Sequence, residues 1–343
     1  VGAGAIAHSG AKAVQEHDQA VLAAAAEPST ERLKNLCETY AIPHGYATAD
    51  ELFADKKVDA VYIAVPNKLH APLAVSALKA GKHVILDKPF AMNLAEAEEV
   101  VATAQAAGKV FMLGMNQRYR ADSQKIKALV GQGVLGEVYH GKAYWIRRAG
   151  IPRLGTWFGN KEMAGGGALL DIGVHLLDLC LFCMGNFEPA SVSGAVYTKF
   201  GNRGLGEGGW GHSDRQKDIV FDVDDFASAM IRMKNGATVT LDITWACHTD
   251  ENDRMDVRLF GTDAGAGLYP ARIFRDDPLR ADYDVIDNVK APVALAHECR
   301  FANFINTVLG TEKPLVTVDE ALAVQKILDG IYESARTGRE VLI

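Results

Sequence analysis

A chain of 343 residues exceeds the length at which one hydrophobic core usually stops growing, so two domains are expected. The formal net charge is −7 and the basic residues are scattered, which argues against a nucleic-acid or anionic-membrane partner. Five cysteines, an odd number in a long chain, indicate a reducing compartment without a disulfide framework, and so predict a cytoplasmic protein.

The first 118 residues alternate short apolar runs with helical patterns. Strands are predicted at residues 21–26, 60–65, 83–86 and 110–115, and helices at residues 30–40, 69–80 and 94–107. Strands that alternate with helices in this way indicate βαβ units and a parallel sheet, which binds its ligand at the carboxyl ends of the strands. Only Val1 precedes the glycine turn where a first strand should lie, so upstream residues are expected to complete that strand.

The second part, residues 119–343, is richer in strands. A helix is predicted at residues 123–132, strands at residues 138–145, 191–197, 226–233, 237–243 and 255–260, and closing helices at residues 295–309 and 318–337. Consecutive strands with few helices between them predict an α+β domain with a largely antiparallel sheet. Residues 201–211 are rich in glycine and are interpreted as a surface loop, with an active-site lid as the alternative.

An apolar stretch at residues 168–184 resembles a membrane span in composition. It is short for a span and contains three ionisable residues, so this interpretation is rejected. Cys180 and Cys183 within it have the spacing of a redox motif, but no second cysteine pair accompanies them. Buried core thiols are therefore favoured over redox or zinc chemistry, and no metal site is expected.

A dinucleotide-type glycine turn opens the chain. Gly2 permits the tight turn, Gly4 lets the backbone approach a pyrophosphate, and Ala7 is small enough for packing of the helix on the strand. The helix that begins nearby, around Ala5 and Ile6, supplies free N–H groups and a positive dipole end for phosphate. The turn therefore predicts a nucleotide-binding site.

An acidic residue follows the second-strand run. Glu27 lies 23 positions after Gly4, where a carboxylate accepts the ribose hydroxyls of NAD. A 2′-phosphate would meet like charge there, so Glu27 favours NAD over NADP. Arg32 weakens that preference, because an arginine can serve a 2′-phosphate. The alternative is an ordinary acidic residue at a strand end.

Two motifs supply groups that move protons. Lys88 precedes Pro89 at the end of a predicted strand, where its ammonium can stabilise a developing alkoxide. Asp171 and His175 are four residues apart in a predicted helix and share one face, so the carboxylate is expected to hold and charge the imidazole. The glycines 165–167 permit a close backbone approach. The alternatives are a solvated turn at Lys88 and a satisfied core histidine.

The motifs together resemble those of the Gfo/Idh/MocA oxidoreductases, named for glucose–fructose oxidoreductase and inositol dehydrogenase. The similarity covers nearly the whole chain and rests on VGAGAIA, VDAVYIAVPNKLHAPLAVSALKAGKHVILDKPF, GMNQRYR, GGGALLDIGVHLLDL and VQKILDGIYESARTGREV. It implies an α/β fold: a Rossmann domain, here residues 1–118, followed by an α/β domain with a large, open, mostly antiparallel sheet, here residues 119–343. The open face commonly makes the dimer or tetramer contact.

The resemblance also implies site residues. Lys88 matches the lysine of a Glu-Lys-Pro motif, and this chain has Asp87 where the family usually has glutamate, which puts the role of that carboxylate in doubt. Asp171 and His175 match an Asp-x-x-x-His pair. Pro66, Asn67 and His70 match the family segment that lines the nicotinamide side of the cofactor. Asn116 matches the loop after the fifth strand.

The segment after the predicted strand at residues 138–145 looks like that of members acting on glucosides or inositols. Trp157 is a candidate for stacking on a sugar ring, and Arg147 or Arg148 for hydrogen bonds to its hydroxyls, with solvated loop arginines as the alternative. The sequence thus predicts an NAD-dependent dehydrogenase of a sugar, glycoside or inositol. The alternatives are an epimerase, transhydrogenase or glycosidase that retains NAD, and a cofactor-binding sensor without turnover.

Overall fold

The computed structural model describes residues 1–209, 220–277, 282–287, 289–291, 293, 295 and 297–343. In the first part of the chain, strands and helices alternate. The strands are β1 (Ala24–Ala26), β2 (His44–Tyr46), β3 (Ala60–Ile63), β4 (His83–Leu86) and β5 (Phe111–Leu113). The helices are α1 (Ala5–Gln15), α2 (Thr30–Thr39), α3 (Ala49–Ala54), α4 (His70–Lys79) and α5 (Leu94–Ala107).

These strands form two parallel sheets, β1–β2 and β3–β4–β5, on either side of the amino-terminal segment. The Gly2 N–H donates to the Ala26 carbonyl at 2.9 Å, and the Ala64 N–H donates to the Val1 carbonyl at 2.9 Å. Val1 and Gly2 therefore bridge the two sheets, where the sequence pattern places a first strand. The predicted Rossmann-type parallel sheet is confirmed.

The second part contains most of the antiparallel structure. Its strands are β6 (Val138–Arg147), β7 (Pro189–Tyr197), β8 (Phe226–Met233), β9 (Thr238–Thr244), β10 (Asp253–Gly261), β11 (Gly265–Gly267), β12 (Arg272–Asp277), β13 (Asp282–Asp287) and β14 (Val341–Leu342). Its helices are α6 (Ala121–Gly131), α7 (Lys161–Ala164), α8 (Val174–Met184), α9 (Arg300–Val308) and α10 (Val318–Thr337). A π-helical turn, Leu169–Gly173, leads directly into α8.

The strands of the second part join in one nine-stranded sheet with the order β13-β12-β11-β10-β6-β9-β8-β7-β14. Every neighbouring pair is antiparallel except β6–β9, which confirms the predicted large, mostly antiparallel sheet. Helix α8 packs against β6 and β10, and α10 packs against β7 on the same face. The opposite face carries a cross-strand row that includes Met230, Lys142 and Arg258.

Within Lys161–Met184, an 18-residue stretch has a mean hydropathy of 1.8 and is long and apolar enough for a membrane span, but that stretch is buried inside the protein. All residues of α8 are buried in the core. Cys180 and Cys183 are among them, and burial raises the pKa of both thiols. The prediction of buried core thiols is confirmed.

The structure corrects one predicted boundary and leaves two other predictions open. The closing helix predicted at residues 295–309 begins only at Arg300, because Cys299 has an extended backbone with φ −124°. Within the glycine-rich segment 201–211, Gly201–Arg203 form a short 3₁₀ turn, and residues 210 and 211 lie outside the described residues. The domain division near residue 118 stays a prediction, since α9 packs on α1 and α10 packs on α5.

Candidate active site

The glycine turn leaves open space at the amino end of α1. Gly2 has φ +87°, and a Cβ there would lie 2.2 Å from the Ala64 carbonyl oxygen, so the fold itself requires this glycine. Gly4 is different, because a Cβ there would meet nothing within 4 Å. Gly4 caps α1 without a side-chain hydrogen bond, and Ala5 and Ile6 are exposed. This uncapped helix end fits the pyrophosphate of a dinucleotide.

Glu27 lies directly after β1 and beside the glycine turn, as predicted. Its Oε2 accepts a hydrogen bond from the Ala3 N–H at 2.9 Å, and its Oε1 accepts from the Ser29 N–H at 3.1 Å. The Arg32 guanidinium donates to the same Oε1 through Nε at 3.3 Å and Nη2 at 3.2 Å. Glu27 thus holds Arg32 in an ion pair at the position where a ribose would bind.

The segment after β3 reaches the same edge of the sheet, but His70 does not expose its ring. Its Nδ1 lies 2.7 Å from the Pro89 carbonyl oxygen and its Nε2 lies 2.9 Å from the Val65 carbonyl oxygen. His70 is only 1% exposed. The sequence predicts that this ring contacts a cofactor, but both ring nitrogens are engaged within the protein. The ring joins the turn after β3 to the Lys88–Pro89 segment.

Three other predicted cofactor residues line this edge differently. Asn67 is buried and its Nδ2 donates to the Ala164 carbonyl at 2.7 Å, which ties the Rossmann part to α7. Pro66 is half-buried and Asn116 is exposed at the start of a 3₁₀ turn after β5. Pro66 and Asn116 thus remain candidates for direct contact with a cofactor.

Lys88 and Asp171 form a partly buried ion pair that joins the two parts of the chain. Lys88 Nζ donates to Asp171 Oδ1 at 2.6 Å and to the Asp171 carbonyl oxygen at 2.8 Å. The other carboxylate oxygen, Oδ2, accepts from the indole Nε1 of Trp245 at 2.9 Å. Although burial pushes its pKa upward, the Lys88 charge and these hydrogen bonds hold the pKa of Asp171 below its usual value.

His175 lies one helical turn after Asp171, but the carboxylate does not hold it. Both Asp171 oxygens face Lys88 and Trp245, and no hydrogen bond joins Asp171 to His175 in the described structure. The prediction that Asp171 holds and charges the imidazole of His175 is therefore wrong. Burial and then the Lys88 charge lower the pKa of His175 to about 3, so the ring is neutral at neutral pH. Its Nδ1 is sealed from solvent without a partner.

A second ion pair, which the sequence patterns do not reveal, lies behind Lys88. Arg300 Nη1 donates to Asp87 Oδ1 at 2.9 Å, and the Tyr62 hydroxyl donates to Asp87 Oδ2 at 3.1 Å. Burial acts to raise the pKa of Asp87, but Arg300 and Lys88 hold it below its usual value. Arg300 lies 213 positions from Asp87, and only the packing of α9 brings them together.

The glycines before the π-helical turn serve packing of the protein itself. A Cβ on Gly166 would lie 2.0 Å from the Tyr332 hydroxyl oxygen, and one on Gly167 would lie 1.9 Å from the Asp224 carbonyl oxygen. The Asp224 carboxylate accepts from the Gly167 N–H at 2.8 Å and from the Leu169 N–H at 2.9 Å, which caps the helix that carries Asp171.

The predicted substrate arginines lie at the end of β6 beside a cavity of about 380 Å³. Arg147 pairs with Asp253 at 3.2 Å, and Arg148 donates to the Thr249 carbonyl at 3.0 Å. Gly150 lines this cavity, and a Cβ on Gly150 would lie 3.1 Å from the backbone carbonyl oxygen of Trp245.

Trp157 lies in a separate 3₁₀ turn. It stacks on Phe158 with ring centroids 3.9 Å apart and is half-buried. The described contacts do not join Trp157 to Lys88.

An open glycine turn, a parallel sheet and a partly buried lysine at the carboxyl edge of that sheet define the class of NAD-binding oxidoreductases. Residues 1–115 match the oxidoreductase family with an NAD-binding Rossmann fold, and residues 123–266 match the GFO/IDH/MocA C-terminal domain. The chain belongs to the Gfo/Idh/MocA family. Its cofactor is NAD.

Curated relatives span most of the chain. The D-glucoside 3-dehydrogenase of Escherichia coli is 31% identical over 322 residues, which are 93% of this chain and 89% of that protein. The myo-inositol 2-dehydrogenase of Thermotoga maritima is 27% identical over 278 residues, 81% of this chain and 74% of that protein. The solved structure of a levoglucosan dehydrogenase in complex with NADH and levoglucosan has the same fold, with a TM-score of 0.81 and 22% identity. The match covers 99% of this chain and 95% of that chain.

Proposed function

We propose that this protein is an NAD-dependent dehydrogenase that oxidises a secondary hydroxyl of a sugar, glycoside or inositol, or reduces the corresponding ketone. The observation that carries the proposal is the partly buried Lys88–Asp171 pair at the carboxyl edge of the β3–β4–β5 sheet. The dehydrogenases of glucosides and inositol among the relatives support this substrate class. NAD, when bound, supplies the hydride acceptor.

The cofactor would be held by residues of the first part of the chain. The N–H groups at Ala5 and Ile6 face the open space at Gly4 and suit a pyrophosphate. Glu27 would accept hydroxyls of the adenosine ribose, and its ion pair with Arg32 keeps that arginine from a 2′-phosphate. This arrangement favours NAD over NADP.

Lys88 and His175 divide the proton chemistry. Lys88 donates a hydrogen bond to the substrate oxygen and stabilises the negative charge that develops as the hydroxyl loses its proton. His175 accepts that proton through Nε2, since Nδ1 is sealed inside the protein. Nε2 accepts only while Nδ1 holds the ring proton, and among the described residues no acceptor faces Nδ1, which keeps the free imidazole weakly basic.

Asp171 acts through Lys88. Its Oδ1 fixes the ammonium, while Trp245 fixes its Oδ2, so the lysine has one preferred direction. The cavity beside Arg147 and Arg148 would hold the parts of the sugar or aglycone that do not react. Trp157 would supply an apolar wall for the ring.

We propose a homodimer or homotetramer that forms through the open sheet face, where Met230 and Phe260 each keep 38% of their surface exposed. A cytoplasmic location agrees with the free cysteines of the described chain, none of which forms a disulfide there.

A substrate screen tests the proposal. Purified protein is mixed with NAD and with glucosides, free sugars and inositols, and NADH absorbance is followed. Formation of NADH with at least one of these polyols is expected. Bound NADH without net release would indicate an enzyme that retains its cofactor, and binding of NAD without oxidation of any polyol would indicate a sensor and contradict the proposal.

A further inference from the structure

Arg300 contacts the carboxyl ends of all three strands of the β3–β4–β5 sheet. Its Nη2 donates to the Tyr62 hydroxyl oxygen at 3.1 Å, and its Nη1 donates to Asp87 Oδ1 at 2.9 Å and to the Gly114 carbonyl at 2.5 Å. Tyr62 belongs to β3, Asp87 follows β4 and Gly114 follows β5. One guanidinium from α9 therefore fixes the edge of the sheet from which Lys88 projects.

The Asp87 carboxylate is held away from the Lys88 ammonium. Besides Arg300, its Oδ1 accepts the backbone N–H of Lys88 itself at 3.0 Å, and its Oδ2 accepts the Tyr62 hydroxyl. The Lys88 ammonium pairs with Asp171 instead. Two buried carboxylates thus flank one lysine, and each has its own cation.

The fold makes room for this arrangement. A Cβ on Gly114 would lie 2.5 Å from Arg300 Nη1, so any larger residue would displace the guanidinium. Arg300 is 7% exposed and Asp87 is equally buried, so the pair is screened little by solvent. Loss of either partner would leave a buried charge without compensation.

We propose that Arg300 is a positioning residue for Lys88, an inference that rests on the proposed function of the Lys88 site. Arg300 neutralises Asp87 and turns it toward the Lys88 backbone, so that the Lys88 ammonium is directed to Asp171 and to the substrate oxygen. Without Arg300, Asp87 becomes a competing partner for the ammonium. The lysine then loses the single direction that proton chemistry on a bound hydroxyl requires.

Variants at both ends of the ion pair test this inference. Arg300→Gln leaves Asp87 free to compete for the Lys88 ammonium, whereas Asp87→Asn leaves the Arg300 cation unpaired and removes the carboxylate that holds the Lys88 backbone N–H. Each variant should lower kcat about 10- to 100-fold, because a small displacement of a reacting group has a cost of this order. KM for the polyol and the dissociation constant of NAD should change much less. The double variant, which removes both charges, should recover part of kcat, so the two effects should not add.

Arg118→Gln is the matched control. Arg118 is fully buried, pairs with Asp178 at 2.6 Å and lies over the rings of Phe182 and Phe187, but contacts neither Asp87 nor Lys88. This variant should lower the unfolding temperature and leave kcat per folded molecule close to wild type. Additive losses in the double variant, or equal losses of kcat in the Arg118 and Arg300 variants, would overturn the inference.

A measurement without turnover separates this inference from the proposed function. After reductive ¹³C-methylation, the Lys88 signal is assigned by its loss in Lys88→Arg. That signal should shift in Arg300→Gln and in Asp87→Asn, return toward wild type in the double variant and stay in place in Arg118→Gln. An unmoved signal in the first two variants refutes the role of Arg300, whereas a shifted signal in a protein that oxidises no polyol refutes only the proposed function.

Discussion

At the scale of single residues, the chemistry depends on which charges are paired before a ligand binds. Lys88 has one carboxylate partner, Asp171, and the other nearby carboxylate, Asp87, is held by Arg300. His175 has no such partner and is neutral. A paired ammonium beside a neutral imidazole suits the removal of a proton from a hydroxyl without leaving an unpaired buried charge beforehand.

His175→Ala tests the base. The variant should lose roughly 10²–10⁴-fold in kcat and keep its NAD affinity, because the imidazole acts on the substrate hydroxyl. Since the pKa of His175 is lowered to about 3, kcat/KM for oxidation should show no acidic limb from this residue between pH 5 and 8. Steady-state rates across pH check both points, and near-wild-type turnover in the variant would assign the base to another residue.

Glu27→Ser tests the choice of cofactor. The variant loses an acceptor for ribose hydroxyls, loses the negative charge that would repel a 2′-phosphate, and loses the ion pair of Glu27 Oε1 with the Arg32 guanidinium. NAD should bind more weakly and NADP more tightly, by fluorescence titration of both. Glu31→Ser, in the exposed first turn of α2, is the control and should leave the ratio of affinities unchanged. An unaltered ratio in Glu27→Ser would contradict the assignment.

Sequence patterns predict the candidate reactive residues here but not their partners. Lys88 and Asp171 lie in short contiguous motifs, and Glu27 lies at a fixed distance from the glycine turn, so all three can be predicted as candidates. Arg300 and Trp245 contact these residues only after the chain folds, and neither belongs to a motif with a fixed spacing. The sequence suggests an Asp171–His175 pair, because the helix spacing places the two residues on one face. That spacing does not show that Lys88 and Trp245 already occupy both oxygens of Asp171.

At the scale of elements, the two glycines of the turn before α1 have different roles, one in folding and one in the proposed cofactor binding. The two glycines have different environments, since a Cβ on Gly2 would clash with the Ala64 carbonyl and a Cβ on Gly4 would clash with nothing. Gly2 therefore serves the fold, whereas Gly4 keeps open the space at the helix end. This contrast gives a matched pair of variants.

Gly4→Ala should keep the unfolding temperature close to wild type and weaken NAD binding at least tenfold, because the added methyl group occupies the space of the pyrophosphate. Gly2→Ala should lower the unfolding temperature markedly, since its φ of +87° and the carbonyl contact are both unfavourable for alanine. Thermal unfolding and NAD titration of the two variants check this. A Gly4→Ala protein with unchanged NAD affinity would place the cofactor elsewhere.

Long, regular elements were predictable and short ones were not. The strand patterns of β6, β8 and β9 and the run of α10 follow directly from alternation and periodicity. Strand β2 has three residues, mostly exposed, and therefore no apolar alternation, although a capping box at Thr48 and Glu51 marks the start of α3. The π-helical turn before α8 depends on the Asp224 cap and has no signal in local sequence.

At the scale of the whole molecule, burial of neutral histidines links stability to pH. The pKa of His175 is about 3 in the folded protein and close to its ordinary value in the unfolded chain, so the unfolded state binds the proton first. The stability that His175 contributes is complete above pH 6.5 and is lost as pH falls toward 3. Between pH 6.5 and 5 the loss amounts to about 2 kcal/mol.

Denaturant unfolding of His175→Gln should therefore show a smaller loss of stability between pH 6.5 and 5 than the wild type. His44→Gln, at an exposed position in β2, is the control and should follow the wild type. Equal pH dependence in His175→Gln and wild type would mean that the imidazole is not buried as described.

The central claim is that hydride passes between NAD and a ring carbon at the Lys88 site. It is tested most directly with a polyol deuterated at its carbinol carbons, such as a glucoside or inositol that the substrate screen identifies. Mass spectrometry of the cofactor after a single turnover should find one deuterium in NADH. The Lys88→Met variant should still bind NAD but should form no deuterated NADH. NADH without deuterium, or no NADH from any polyol, would contradict the account.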